Sequence, residues 1–221
     1  GTKTHKNILH KNITHLVGDP GNPNRLVATG NTSISPWYIG AHITSNAGDS
    51  WTEVKIASEE DYVIQTAAIA PSNGNIIFAG GQGDDYTKGV LYSTANGGAT
   101  WTRLSWTYQN IGAIAVDTQD PKIVYVGTMW YGTYRSADGG QTWTKCNGPG
   151  GAATILVNKA NPNEVFIGGG SGVFQSTDRG LTWTDISGGL LDSNVSHLEF
   201  HAATRTLYAG TYSAGIWKKK L

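Results

Sequence analysis

An all-β fold built of repeated four-stranded meanders is predicted by three observations. The 221-residue chain holds 30 glycines, eight tryptophans and ten tyrosines against a single methionine, a composition that suits short strands joined by tight turns. Few stretches carry a helical apolar rhythm. One strand-turn-strand segment also occurs five times, starting at residues 13, 64, 111, 152 and 195.

The five copies justify the elements in order. They read "ITHLVGDPGNPNRLVATG", "IQTAAIAPSNGNIIFAGG", "IGAIAVDTQDPKIVYVGT", "AATILVNKANPNEVFIGG" and "VSHLEFHAATRTLYAGT". The turn in the first four is rich in Asn, Asp, Pro or Gly, which favour a reversal, and the flanks carry β-branched and aromatic residues that suit a pleated surface. A third strand follows ("VLYS", "GTYRS", "GVFQS"), then a short Asp/Asn-Gly phrase, then a fourth strand opening on Trp51, Trp101, Trp143 or Trp183. Successive starts lie 51, 47, 41 and 43 residues apart, the length of a four-stranded propeller blade, about 40 to 50 residues.

The fifth copy ends at "GIWKKKL", with a third strand but neither the phrase nor a fourth. A strand over Thr2 to Leu9 would complete it and remove an exposed edge. The expectation is therefore a closed five-bladed β-propeller, a single domain over 1–221, with residues 1–12 as its closing strand.

The repeated phrase has the spacing S/T-x-D/N-x-G-x-S/T-W. Asn46, Asn96, Asp138 and Asp178 can each accept backbone N–H bonds of their own turn. Gly48, Gly98, Gly140 and Gly180 supply positive φ, and the Trp anchors the next strand. These residues resemble the Asp-box, or BNR, repeat family, whose motif S-x-D-x-G-x-T-W is matched by residues 136–143 and 176–183. Residues 94–101 keep it with Thr94 and Asn96, and 44–51 keep it more loosely. The family includes sialidases, xyloglucanases, sortilin-like receptors and photosystem assembly factors. The resemblance implies that the boxes are structural and lie on the face opposite the usual binding site. Calcium is not expected in them, since one carboxylate per turn falls short of the about six to eight oxygens the ion takes.

Function then falls to the loops of the other face. Trp37, Tyr38, Tyr86, Trp130, Tyr131 and Tyr212 stand between second and third strands, and "SWTYQN" adds Trp106 and Tyr108. Aromatics above a rigid scaffold offer flat faces to sugar rings or anchors to a protein. An acidic rim, Glu59, Glu60, Asp61, Asp84 and Asp85, shares this face. Paired carboxylates of this kind serve glycoside cleavage when their environments separate their pKa values. A sialidase-like site is not expected: that subgroup grips its substrate with three arginines, and Arg25, Arg103, Arg135, Arg179 and Arg205 are scattered over turns, a box and outer strands. The xyloglucanase relatives build a cleft between two large propellers, whereas one ring is expected here.

Sixteen basic residues balance sixteen acidic ones, so no net field draws nucleic acid. The apolar runs are too short for membrane insertion. Cys146 is alone, which excludes an intrachain disulfide and a cysteine-rich metal site. His15 and His197 occupy equivalent positions, which points to packing rather than metal binding, and "GGGSG" at 168–172 is a connection, not a nucleophile elbow. No cofactor is expected. Sequons at Asn12, Asn31 and Asn194, with no signal-peptide core at the start of the chain, suit a mature secreted protein or an excised domain of one. The sequence thus predicts a non-catalytic extracellular module for recognition or assembly, binding glycan or protein through its aromatic loops. Its alternatives are a glycoside hydrolase using the acidic rim and a self-associating structural surface protein.

Overall fold

The computed structural model describes residues 12–31, 39–57, 63–83, 87–148 and 150–221. The chain divides into two compact units, Gly1–Ile111 and Gly112–Leu221.

The first unit holds two antiparallel sheets, each with its strands in chain order. One consists of β1 (Asn12–Asp19), β2 (Asn22–Asn31), β3 (Ile39–Thr44) and β4 (Thr52–Ala57), the other of β5 (Val63–Ile69), β6 (Ile77–Gln82), β7 (Gly89–Thr94) and β8 (Thr102–Arg103). Both first strands carry a one-residue register shift, at Ile13/His15 and Ile64/Thr66. The two positions align in the repeat, and the extra residue bends the strand. Strand β5 packs on β1, β2 and β3, burying Val27, Ala41, Ile64, Ile69, Ile77 and Tyr92 in one core.

The second unit holds three sheets. Two have four strands: β9 (Ile111–Val116), β10 (Val124–Thr128), β11 (Thr133–Ser136), β12 (Thr144–Lys145); and β13 (Thr154–Val157), β14 (Val165–Gly169), β15 (Gly172–Ser176), β16 (Thr184–Asp185). The last has three: β17 (Val195–His201), β18 (Thr206–Thr211) and β19 (Ile216–Lys220). Phe166, Val173, Val195, Leu198 and Leu207 form its main core, with Ile123, Tyr125 and Val165 in a second cluster beside Trp183. The all-β, four-stranded antiparallel architecture matches the expectation. Residues 2–9, assigned to the closing strand, lie outside the described residues.

The repeated turn shows why the phrase is spaced as it is. Ser136 Oγ donates to Asp138 Oδ1 (2.7 Å) and accepts from the N–H groups of Asp138 (3.2 Å) and Gly140 (2.8 Å). Asp138 Oδ1 in turn accepts from the N–H of Gln141 and of Thr142, each at 3.0 Å. Ser176 and Asp178 repeat the pattern around Gly180, Leu181 and Thr182. Thr44 with Asn46, and Thr94 with Asn96, do so in the first unit. Three of the tryptophans donate their indole N–H to the turn glycine's carbonyl at 3.1 Å: Trp101 to Gly98, Trp143 to Gly140, Trp183 to Gly180.

Two consecutive residues of each turn have positive φ, where the sequence points to one. Ala47 (55°), Gly97 (72°), Gly139 (78°) and Arg179 (58°) precede the glycines. Each donates its N–H to a carbonyl in the first hairpin of the same sheet, namely Asn24, Asn75, Lys122 and Asn163, at 2.8–3.0 Å. That bond fixes the αL residue and puts both turns at the same end of the sheet. The strained Arg179 is held further: Tyr125 donates to its carbonyl at 2.9 Å, and its Nε lies 3.3 Å from the buried Asp117 carboxylate. Burial pushes the Tyr125 phenol up to about 12, so it remains a donor at neutral pH.

The equivalence of His15 and His197 holds in register but not in surroundings. His15 Nδ1 accepts from Ala67 N at 3.3 Å on the neighbouring sheet, and burial lowers its pKa. His197 is exposed, because no sheet within the second unit covers that face of β17. Cys146 is buried, as a small packing residue should be, and burial pushes its thiol up to about 11.

Candidate functional site

With both turns at one end of each sheet, the loops from second to third strand, and from fourth strand to the next sheet, occupy the other end. In the second unit two of these loops are built alike. Thr128 N and Oγ1 both donate to Gly132 O (3.0 and 2.9 Å), and Oγ1 accepts from Tyr131 N at 3.0 Å. Thr211 does the same with Gly215 O (2.9 and 3.0 Å) and Ala214 N (3.0 Å). Gly132 and Gly215 have φ of 119° and 73°, which glycine adopts without a Cβ penalty. The signal for this loop, T-x-x-x-G in "TMWYG" and "TYSAG", is present in the sequence but not singled out there.

A loop pinned at its base holds its tip side chains outward at low entropic cost. Trp130 is 76% exposed, and Met129, Tyr131 and Tyr212 are exposed beside it or at the matching tip. In register Tyr212 aligns with Met129, not with Trp130. Asp192 stiffens the second loop, accepting from Ser213 N (2.9 Å) and Oγ (2.7 Å) and from Asn194 N (2.9 Å). These bonds, Asn194's first, hold its carboxyl below the usual range. Between the two loops in sequence, the β14–β15 hairpin is a bare glycine turn, Gly169 pairing with Gly172. A Cβ on Gly169 would lie 2.4 Å from Gly151 O, so the backbones meet there without side chains.

In the first unit the aromatics behave differently. Trp106 is 7% exposed, with its indole N–H on Gln109 O (3.1 Å) and Tyr108 edge-on at 5.1 Å. It packs under the loop instead of presenting a face. Trp37, Tyr38 and Tyr86, and the acidic positions Glu59, Glu60, Asp61, Asp84 and Asp85, lie outside the described residues.

Two described cavities lie at the turn end. One in the first unit is lined by Asp19, Asn22, Arg25, Asn73 and Asn75; its carboxylate, Asp19, lies 3.5 Å from Arg25, which also donates to the carbonyls of Gly74 and Gly97. The other, about 310 Å³ in the second unit, is lined by Leu156, Lys159, Glu199 and Phe200. Each contains one carboxylate, so neither offers the pair that acid-base glycoside cleavage uses. Nor do the described residues include a cluster of three or more His, Cys, Asp or Glu able to hold a metal.

No family model matches the chain. It is similar to a xyloglucanase of Hypocrea jecorina (strain QM6a), 28% identical over 186 residues, covering 67% of this chain and 20% of that protein. A xyloglucanase of Paenibacillus sp. is 28% identical over 222 residues, covering 92% and 19%. The chain therefore spans about a fifth of these relatives' length. Among solved structures, the GH74 xyloglucanase from Xanthomonas campestris superposes with a TM-score of 0.75 at 17% identity, covering 95% of this chain and 36% of that one. The relatives correct the expectation of a non-catalytic module, because the proteins this sequence resembles are glycoside hydrolases. The sequence led elsewhere because the turn motif is shared by unrelated activities and fixes shape alone.

Proposed function

We propose that the chain is part of a secreted glycoside hydrolase acting on xyloglucan. One observation carries the reading: the similarity to named xyloglucanases, which extends over 67–92% of the chain. A net charge of zero suits a neutral polysaccharide, and a polymer too large to enter a cell calls for an enzyme outside it. No helix among the described residues is long and apolar enough to cross a membrane. In this reading Trp130 and Tyr131 meet the apolar faces of the sugar rings, and Tyr212 adds a second contact. Aromatic planes bury C–H faces while leaving hydroxyls to water. The acid and base are sought among Glu59, Glu60, Asp61, Asp84 and Asp85. A pair about 5–5.5 Å apart retains anomeric configuration, and one about 6.5–9.5 Å apart inverts it. We also read the five sheets as propeller blades and the four recurrent turns as Asp-boxes, supported by the turn hydrogen bonds and the likeness in fold.

The test is release of reducing ends from xyloglucan, with affinity electrophoresis in the same polymer as the binding arm. Trp130→Ala should weaken retardation by about tenfold, ~1.4 kcal/mol for one exposed aromatic anchor, with an unchanged melting temperature. Unaltered mobility for the wild-type chain in xyloglucan, together with no reducing ends, overturns the reading.

A further inference from the structure

The loop from β16 to β17 turns one leucine inward and the next outward. Leu190 packs on the core of Phe166, Val195 and Leu207, and its N–H donates to Ser187 O at 2.8 Å. Leu191 is 91% exposed. Two residues further on, Ser193 O accepts from Gly172 N (3.0 Å) and Val195 N (3.1 Å), so the backbone is fastened on both sides of the exposed side chain.

A solitary exposed leucine calls for no explanation, but Leu191 is tied to Tyr212. Asp192, which follows Leu191, accepts through Oδ2 from the N–H (2.9 Å) and the hydroxyl (2.7 Å) of Ser213, which follows Tyr212. Its Oδ1 accepts from Asn194 N at 2.9 Å, and Asn194 O accepts from Tyr212 N at 3.1 Å. One carboxylate and one carbonyl thus join the β16–β17 loop to the β18–β19 loop. Counted from the anchoring threonines, Ser213 stands where the matching loop carries Trp130. The position that presents an indole in one loop makes the fastening in the other, and Leu191 arrives from a different loop to supply the apolar contact.

We propose that Asp192 is a positioning residue for polysaccharide binding: by fastening the two loops together it holds Leu191 and Tyr212 as one apolar surface for the C–H face of a sugar ring. The proposal rests on the xyloglucan reading above and adds to it Leu191 and the fastening. A sugar laid on the Tyr212 ring, with an aliphatic side chain at its edge, buries C–H groups and leaves its hydroxyls in water. The three hydrogen bonds to the carboxylate are made before the ligand arrives, so little loop freedom is left to lose on binding.

The test is affinity electrophoresis of the full chain in xyloglucan, arranged as a double-mutant cycle. Leu191→Ala and Tyr212→Ala should each weaken retardation about threefold to tenfold, and Asp192→Ala about tenfold, as expected for the loss of one or two exposed anchors. In the Leu191→Ala/Tyr212→Ala background, Asp192→Ala should change retardation by less than about twofold, because it acts through those side chains. Asp192→Asn keeps one acceptor oxygen and should fall between the wild type and Asp192→Ala. Amide hydrogen exchange of the free chain is the second measurement: Asp192→Ala should quicken exchange at Tyr212 and Ser213 about tenfold or more and leave the β17 amides unchanged. Equal losses in both backgrounds, or unaltered exchange, overturn the proposal, and if Trp130→Ala still weakens retardation the xyloglucan reading survives it. Absence of retardation for the wild-type chain overturns that reading, and the proposal with it.

Discussion

The recurrent turns of the two units share most of their hydrogen bonds but differ in chemistry: the N–H three residues on goes to the main-chain carbonyl of Asn46 or Asn96 in the first unit and to the carboxylate of Asp138 or Asp178 in the second. In the first unit the acceptor is an amide: Asn96 Oδ1 takes the Thr94 hydroxyl (2.8 Å) and Thr100 N (2.9 Å), and Nδ2 donates to Thr100 Oγ1 at 2.8 Å. In the second unit it is a carboxylate, and Thr182 Oγ1 instead donates to Asp178 Oδ2 at 2.6 Å. The hydroxyl rotor reverses its role to suit its partner. Shape is therefore conserved between units while the charge of the central acceptor is not, and only the second unit has turns built around a carboxylate. Asp138 and Asp178 are held down at about 2, chiefly by the side-chain hydroxyls of Thr142 and Thr182, with backbone N–H bonds and the opening serine adding to the effect.

The largest effect should come from the turn glycines Gly180 and Gly48, whose surroundings differ. A Cβ on Gly180 would sit 2.7 Å from the Tyr125 ring, whereas one on Gly48 meets nothing nearer than 3.8 Å, although both have positive φ. Urea unfolding of Gly180→Ala should show a loss of about 2–5 kcal/mol, combining left-handed strain with overpacking. For Gly48→Ala only the strain applies, about 1–2 kcal/mol. Equal losses would show that the clash at Gly180 is relieved by a shift of Tyr125.

Next in size is the acid response. With native pKa values near 2 and ordinary ones near 3.8, the two carboxylates add stability that is complete above about pH 4 and disappears as pH falls toward 2. The paired change Asp138→Asn and Asp178→Asn should remove that dependence, lowering the acid-unfolding midpoint of the second unit while leaving neutral-pH stability nearly unchanged. A midpoint that does not move would break the contrast. The smallest effect is the converse: Asn96→Asp should give the first unit an acid-sensitive turn with a change at neutral pH of less than about 0.5 kcal/mol, typical of an exposed isostere. Circular dichroism against pH reads both.

How much of this the sequence disclosed depended on whether the determinant was local. The turn's eight residues contain their own donors, acceptors and positive-φ glycine, so their spacing alone revealed the hairpin. The second αL residue was hidden because Arg179 and Ala47 are unremarkable in one dimension; the bonds that hold them come from Asn163 and Asn24, at the turn of another hairpin distant in sequence. The loop residues divided in the same manner. "SWTYQN" and "TMWYG" look alike as aromatic loops, yet Trp106 is packed and Trp130 is open. What separates them is the Gln109 carbonyl that captures one indole, and the Thr128 anchor that lifts the other segment. Activity was least legible, since the repeated phrase serves shape and the relatives' common chemistry is not written in it.

The self-sufficiency of the Ser176 turn also bears on how such chains change length. A meander that brings its own fastener can be copied or lost as a single cassette, leaving few donors stranded at the seam. Gene duplication can then lengthen or shorten the array in whole steps, and selection needs to refit only the contacts between neighbouring cassettes.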